Sequence, residues 1–192
     1  MESRPKHYVV IDLEATCCND QSFPRDHMEI IEIGAVLVDG ETLSPVAEHQ
    51  SFVRPFRHPR LTPFCMQLTT ITQAQVDAAP RFAQAISALR TFLDGKGALF
   101  CSWGDYDRNQ FTRDARPHNV KLPFSALHLN LKRRFAERQG EPRELGTYQA
   151  LRKVGLSPSG THHRAIDDAW NIARLLPWIV GDAGAGASRH AR

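Results

Sequence analysis

Between Tyr8 and Thr16 the chain reads YVVIDLEAT, a hydrophobic run with two carboxylates set into it. Residues two apart in a strand share a face, about 6.5–7 Å apart along the chain, so Asp12 and Glu14 project side by side. Val9, Ile11 and Leu13 take the other face. Cys17 to His27 is polar, with Asn19-Asp20 and Pro24, and predicts a loop. A second β-rich run, MEIIEIGAVLVDGETL, ends at Asp39-Gly40, a hairpin signal. Val46 to Arg54 supplies a third strand, so the first three form an antiparallel meander.

Pro55 to Pro80 is rich in Pro and Thr and contains LTPFCMQLTTIT, too apolar for a free linker, so parts of it must pack or meet a ligand. From Pro80 the spacing becomes helical: Phe82, Ala85, Ile86, Leu89 and Leu93 form one stripe and Gly95 follows the last turn. Ala98 to Trp103 is a short apolar run that predicts a buried fourth strand. Helix is expected over Asn109 to Ala115, loop over Pro117 to Pro123, and a fifth strand over Ala126 to Leu131. A basic helix follows through Lys132, Arg133, Arg134 and Arg138, then a helix over Glu144 to Val154 and a turn over Gly155 to Gly160. The closing helix runs from about Arg164 to Leu176, with Pro177 as its kink or stop. Ala165, Ala169, Ile172, Ala173, Leu176 and Ile179 make its apolar stripe. At about 100° per residue Asp168 falls beside that stripe and Asp167 on the far side, with Asn171 and Arg174.

Composition narrows the class. The 192 residues are 42% hydrophobic and 23% charged, enough for one well-buried core, and the expectation is a single domain over residues 6–180 with a Gly-, Ala- and Ser-rich disordered tail over 181–192. No apolar run approaches the length of a membrane span, and MESRPKH leads straight into a strand rather than a signal-type segment. Cys17, Cys18, Cys65 and Cys101 lack C-x-x-C spacing, which argues against a zinc site and against disulfide partners. A cytoplasmic setting is expected. The net charge of +3 permits a polyanionic partner without demanding one.

Two carboxylates in an apolar strand are costly to bury unless a cation or hydrogen bonds replace their hydration. A divalent metal would do so; a strand end reaching water would also satisfy the pattern. Asp107 lies just past the fourth strand, where open α/β sheets place functional groups, although a cap of the next helix by Asp105 or Asp107 fits the same pattern. His163 precedes Asp168 by five residues and reaches the same neighbourhood.

Asp12, Glu14, Asp107, His163 and Asp168 spell D-x-E, D and H-x-x-x-x-D. With the contexts IDLEAT, EIIEIGAVLVD, LTPFCMQLTTIT, SWGDYDRNQF and HHRAIDDAWNIARLL, the chain resembles the DEDDh 3′-to-5′ exonucleases. Within them it is most similar to the branch of the histone-mRNA and Eri-type RNA exonucleases and the bacterial KapD-like proteins, over about residues 6–180. The resemblance implies an α/β, RNase H-like fold, a central five-stranded mixed sheet flanked by α-helices. It also implies hydrolysis of single-stranded RNA or DNA from a free 3′ end, RNA favoured, with release of nucleoside 5′-monophosphates.

Position by position, the resemblance makes Asp12, Glu14, Asp107 and Asp168 the ligands of two Mg²⁺ ions, for which Mn²⁺ would substitute. Glu14 would sit between both ions and close to the terminal phosphate. His163 would be the general base, favoured over His162 by its match to HRAIDDA, and would touch the substrate. The backbone at Ala15 and Thr16 would meet the terminal nucleotide, its base wedged near Phe64, Met66 and Leu68, although core packing explains those three equally well. Trp103 and Tyr106 are candidates for base stacking, and Lys132, Arg133 and Arg134 for phosphate contacts or a solvated face. A non-catalytic nucleic-acid-binding protein on the same fold is the alternative from another class; four clustered carboxylates facing a polyanion argue against it. An endonucleolytic or oligonucleotide-specific relative is the other. Oligomeric state is left open.

Overall fold

A computed structural model of the chain describes residues 4–183. Five strands form one mixed sheet in the order β3-β2-β1-β4-β5: β1 (His7–Ala15), β2 (Ile30–Asp39), β3 (Pro45–Phe52), β4 (Ala98–Ser102) and β5 (His128–Asn130). β1, β2 and β3 pair antiparallel, as the predicted meander requires, and β4 and β5 add on parallel to β1. Asp39 closes the first hairpin by accepting from the Glu41 and Thr42 amides.

Alternation along β1 divides the core in two. Val9, Ile11 and Leu13 pack with Ala35 and Leu37 against α3 (Phe82–Leu93) and α4 (Tyr106–His118). Tyr8 and Val10 pack with Val36, Val38 and Cys101 against α5 (Leu131–Gln139), α6 (Thr147–Lys153), α7 (Ala165–Ala173) and α8 (Leu176–Ile179). Asp12 and Glu14 continue that second face toward its end.

The apolar LTPFCMQLTTIT segment folds as α1 (Pro63–Thr69) followed by α2 (Gln73–Ala78). Thr62 caps α1 by accepting from the Cys65 amide, Pro63 sits in its first turn, and Thr72 and Gln75 form a capping box at α2. Leu61, Cys65, Ile71 and Val76 are buried beneath it with Ile31.

Several boundaries differ from the sequence reading. α4 begins at Tyr106 and carries through Pro117 to His118, where loop was expected; the proline stands in the last turn, next to an Asn119 C-cap at φ 49°. α6 starts at Thr147 rather than Glu144. The closing helix is two pieces, and Pro177 lies in the first turn of α8 instead of ending a single helix. Its ring would meet the carbonyl four residues earlier, that of Ala173, the residue at which α7 stops. Of the expected tail, residues 184–192 lie outside the described residues. Gly181 and Ala183 fold back, the Gly181 carbonyl accepting from Arg138 Nη2 at 2.5 Å and the Ala183 amide donating to the Pro177 carbonyl at 3.2 Å. No helix of the described residues is long and apolar enough to cross a membrane.

Candidate active site

The register of the sheet and one close approach build the site. Asp12 pairs with Gly34 and Glu14 with Glu32 across the β1–β2 ladder, so all four positions face α7. A β-carbon on Gly34 would stand 2.2 Å from the Ala165 backbone carbonyl carbon, so only glycine lets the first turn of α7 lie on the sheet. Glu32, fully buried, anchors that turn: its carboxylate accepts from Arg164 Nε (3.1 Å), Arg164 Nη2 (3.0 Å) and the Ala165 amide (3.1 Å). Neither Gly34 nor Glu32 was singled out from sequence, although both lie in the EIIEIGAVLVD stretch that carries the resemblance.

Asp107 arrives from the other side. β1 pairs with β4 only from His7 to Val10, which leaves the Leu13 amide beyond the parallel ladder. Asp107, in the first turn of α4 rather than in the loop before it, accepts from that amide through Oδ1 at 3.1 Å. Asp168 is buried on the sheet side of α7, as the helical stripe predicts. Its Oδ2 accepts from the His163 amide at 2.9 Å and its Oδ1 has no hydrogen-bond partner among the described residues.

The far side of α7 is only partly open to solvent. Asn171 is fully buried, and its side chain exchanges hydrogen bonds with Ser159. Asp167 Oδ2 accepts from the Thr161 amide at 2.8 Å and rests against Gly160, which holds the loop carrying the histidines.

Asp12, Glu14 and Asp168 each offer a carboxylate oxygen within 4.8 Å of the others. So much negative charge in so little water alters the acids. Asp12 is held well above the usual carboxylate range by burial and then by Asp107, Glu14, Asp168 and Glu32. Glu14 is pushed up to about 8 by burial and by Asp168 and Glu32, and Asp107 to about 7 by burial. His163 Nδ1 lies 3.9 Å from Glu14 Oε1, and burial together with the neighbouring His162 ring lowers its pKa, keeping the imidazole neutral. An unpartnered buried carboxylate oxygen beside two further carboxylates suits a hard divalent cation, so the donor set fits the metal that the resemblance implies.

The expected substrate contacts divide. Ala15 and Leu68 line the same cavity as the carboxylates and His163, together with Trp103 and Tyr106. Phe64 lines the adjoining groove, which shares Cys17, Met28 and Tyr106 with that cavity. Thr16 and Met66 do not reach it. The Thr16 amide donates to the Glu29 carbonyl at 2.8 Å and its hydroxyl accepts from the Glu29 amide at 3.0 Å, which closes the strand end behind the site. Met66 packs on the apolar cluster around Ile31, because the helical turn that exposes Leu68 points Met66 inward. Trp103 is fixed by its indole N–H to the Leu145 carbonyl (3.1 Å). Lys132, Arg133 and Arg134 are paired with Glu144, Asp105 and Glu137.

Comparison with known proteins gives the same class. Residues 9–176 match the RNase_T exonuclease family. ERI1 exoribonuclease 3 of Mus musculus is 31% identical over 187 residues, which cover 92% of this chain and 54% of that protein. The probable 3′-5′ exonuclease KapD of Bacillus subtilis is 31% identical over 176 residues, covering 91% and 84%. The nuclease domain of 3′hExo, a DEDDh family member solved with rAMP, superposes with a TM-score of 0.84 at 29% identity, over 91% of this chain and 92% of that one. The chain belongs to this exonuclease family, and its fold is the RNase H-like fold of the DEDDh 3′-to-5′ enzymes. The family depends on divalent metal ions. The chain spans about half the length of ERI1 exoribonuclease 3 and of 3′-5′ exoribonuclease 1 of Mus musculus.

Proposed function

We propose that the protein is a Mg²⁺-dependent 3′-to-5′ exonuclease that trims single-stranded RNA, and DNA less readily, from a free 3′ hydroxyl. The observation that carries this reading is the convergence of Asp12, Glu14 and Asp168 within 4.8 Å, beside Asp107 and His163. Asp12, Glu14, Asp107 and Asp168 would hold two divalent cations. When bound, these would lower the pKa of a coordinated water and stabilise charge on the departing 3′ oxygen.

The chain's own groups do the rest. His163, neutral near pH 7, accepts the proton of the attacking water at Nδ1, the ring nitrogen facing Glu14. Glu32 and Gly34 fix the start of α7, and through it the positions of His163 and Asp168. Leu68, Ala15 and, from the adjoining groove, Phe64 and Tyr106 supply apolar surface for the terminal nucleotide. RNA is favoured because the ERI1 relatives are named exoribonucleases and 3′hExo was solved with rAMP. The four free cysteines suit a reducing, cytoplasm-like compartment.

The test is a pair of 5′-labelled single strands, one ending in a 3′ hydroxyl and one blocked by a 3′ phosphate, incubated with Mg²⁺. Stepwise shortening of the free strand alone, with mononucleotide 5′-phosphates as product, is expected. Internal cuts in the blocked strand would point to an endonuclease instead.

A further inference from the structure

We propose that His162, His163 and Asp168 form a capture site for a borderline transition-metal cation of the Zn²⁺ class, and that its occupation stops the nuclease. The inhibitory consequence rests on the proposed function; the binding site itself does not.

His162 has no part in the hydrolysis outlined above, yet the fold holds it with care. A ring nitrogen of His162, a ring nitrogen of His163 and a carboxylate oxygen of Asp168 all lie within 4.8 Å of one another. Four-coordinate zinc, with bonds of about 2.0–2.1 Å, needs its donors about 3.3–3.5 Å apart, so the three would close around the ion as the two imidazoles rotate out of their stack. His162 Nδ1 already stands 3.4 Å from Asp168 Oδ2. Asp168 is 7% exposed, and its Oδ1, the oxygen that the His163 amide does not take, has no hydrogen-bond partner among the described residues and is free to bind a cation.

Successive side chains in extended chain point apart, whereas here His163 takes φ 62° and the two imidazoles stack at 3.9 Å and 16°. Tyr148 lies against the His162 ring at 4.4 Å, so the histidine pair is held between the tyrosine and the carboxylates. The His162 side chain is 54% exposed, which leaves a fourth coordination position to water.

Donor chemistry separates this site from the all-oxygen group. Asp12, Glu14 and Asp168 are hard ligands suited to Mg²⁺ or Mn²⁺, whereas two imidazoles and one carboxylate favour Zn²⁺, Co²⁺ or Ni²⁺. Asp168 belongs to both groups, so a cation on the histidine side competes for it. A His163 lone pair given to that cation can no longer accept the proton of water.

The experiment titrates metal-free protein with Co²⁺, reading the visible bands of four-coordinate cobalt, and then displaces it with Zn²⁺. Three proteins are compared: wild type, Asp12→Ala, which damages the all-oxygen group, and His162→Phe, which keeps a ring in the stack but offers no nitrogen; His162→Gln replaces it if the phenylalanine variant does not fold. Wild type and Asp12→Ala should show the bands, and His162→Phe should lose them and bind Zn²⁺ about 100-fold more weakly. In trimming assays with Mg²⁺, each referred to its own uninhibited rate, His162→Phe should need about 100-fold more Zn²⁺ for half inhibition than wild type. Equal Zn²⁺ affinity in wild type and His162→Phe would overturn the proposal and move the cation to the carboxylates or the thiols. If wild type trims nothing with Mg²⁺, the proposed function fails while the cobalt spectra still decide the site.

Discussion

Along one face of β1, Tyr8 and Val10 lie under α5 to α8, and Asp12 and Glu14 lie under the start of α7. Strand and helix layer are shared, yet the first half is closed by apolar packing, whereas the second leaves its carboxylates short of partners. Asp168 Oδ1 has no partner among the described residues, and Asp12, Glu14 and Asp107 are all pushed toward the protonated form. The apolar half holds the sheet to its helices; the acidic half is a local cost that a cation relieves. One alternating strand therefore carries scaffold and site, divided between Val10 and Asp12.

Removing the acids should break the comparison most visibly. Asp168→Asn or Asp12→Asn is expected to lower kcat at least about 10⁴-fold, an estimate for loss of metal-ion catalysis. Either should leave the metal-free protein as stable as wild type or more so, because each removes buried like-charge repulsion; chelated thermal melts beside gel assays check both. His163→Ala should cost about 10²- to 10⁴-fold in kcat while Mg²⁺ still raises the melting temperature, since the base is lost and the carboxylates stay.

The converse change lies in the apolar half. Ile172→Ala, at a fully buried position of the same layer, should cost about 2–5 kcal/mol in denaturant unfolding with far less effect on turnover per folded molecule. The pH dependence sharpens the contrast. Glu14 at about 8 and Asp107 at about 7 are raised above ordinary carboxylate values near 4, so the folded metal-free protein holds protons that the unfolded chain has released. That stability is fully present below about pH 4 and is lost as pH rises to about 8. Chelated protein should therefore melt lower at pH 8 than at pH 5 on account of these groups, and Mg²⁺ or Mn²⁺ should restore more at pH 8.

The smallest effect is expected at Asp167→Ala, which frees the Thr161 amide and loosens the histidine loop. A loss of up to about tenfold in kcat, with Mg²⁺ affinity unchanged, would fit; a loss equal to that of Asp168→Asn would mean that the two sides of α7 are assigned the wrong way round.

Much of this was legible in sequence because it is periodic or local. The two-residue period placed Asp12 and Glu14 together, the helical stripe put Asp168 toward the sheet, and Asp39-Gly40 marked its hairpin. What escaped depends on contacts distant in sequence. Gly34 reads as one small residue in a strand until Ala165 lies on it, and Glu32 reads as a surface glutamate until Arg164 bonds to it, 132 residues away. Met66 sits in the same motif as Leu68, yet a side chain's direction in a short helix follows from what packs beneath it. Asn171, on the far side of α7 from its apolar stripe, is covered by the loop at Ser159, which no helical wheel can foresee.

The most direct test of the central claim is a time course on 5′-labelled single-stranded RNA with Mg²⁺ and with chelator, for wild type and Asp168→Asn. A ladder that shortens from the 3′ end only with wild type and only with Mg²⁺ is the result this account predicts. Trimming that persists in chelator, or in Asp168→Asn at the wild-type rate, would contradict it.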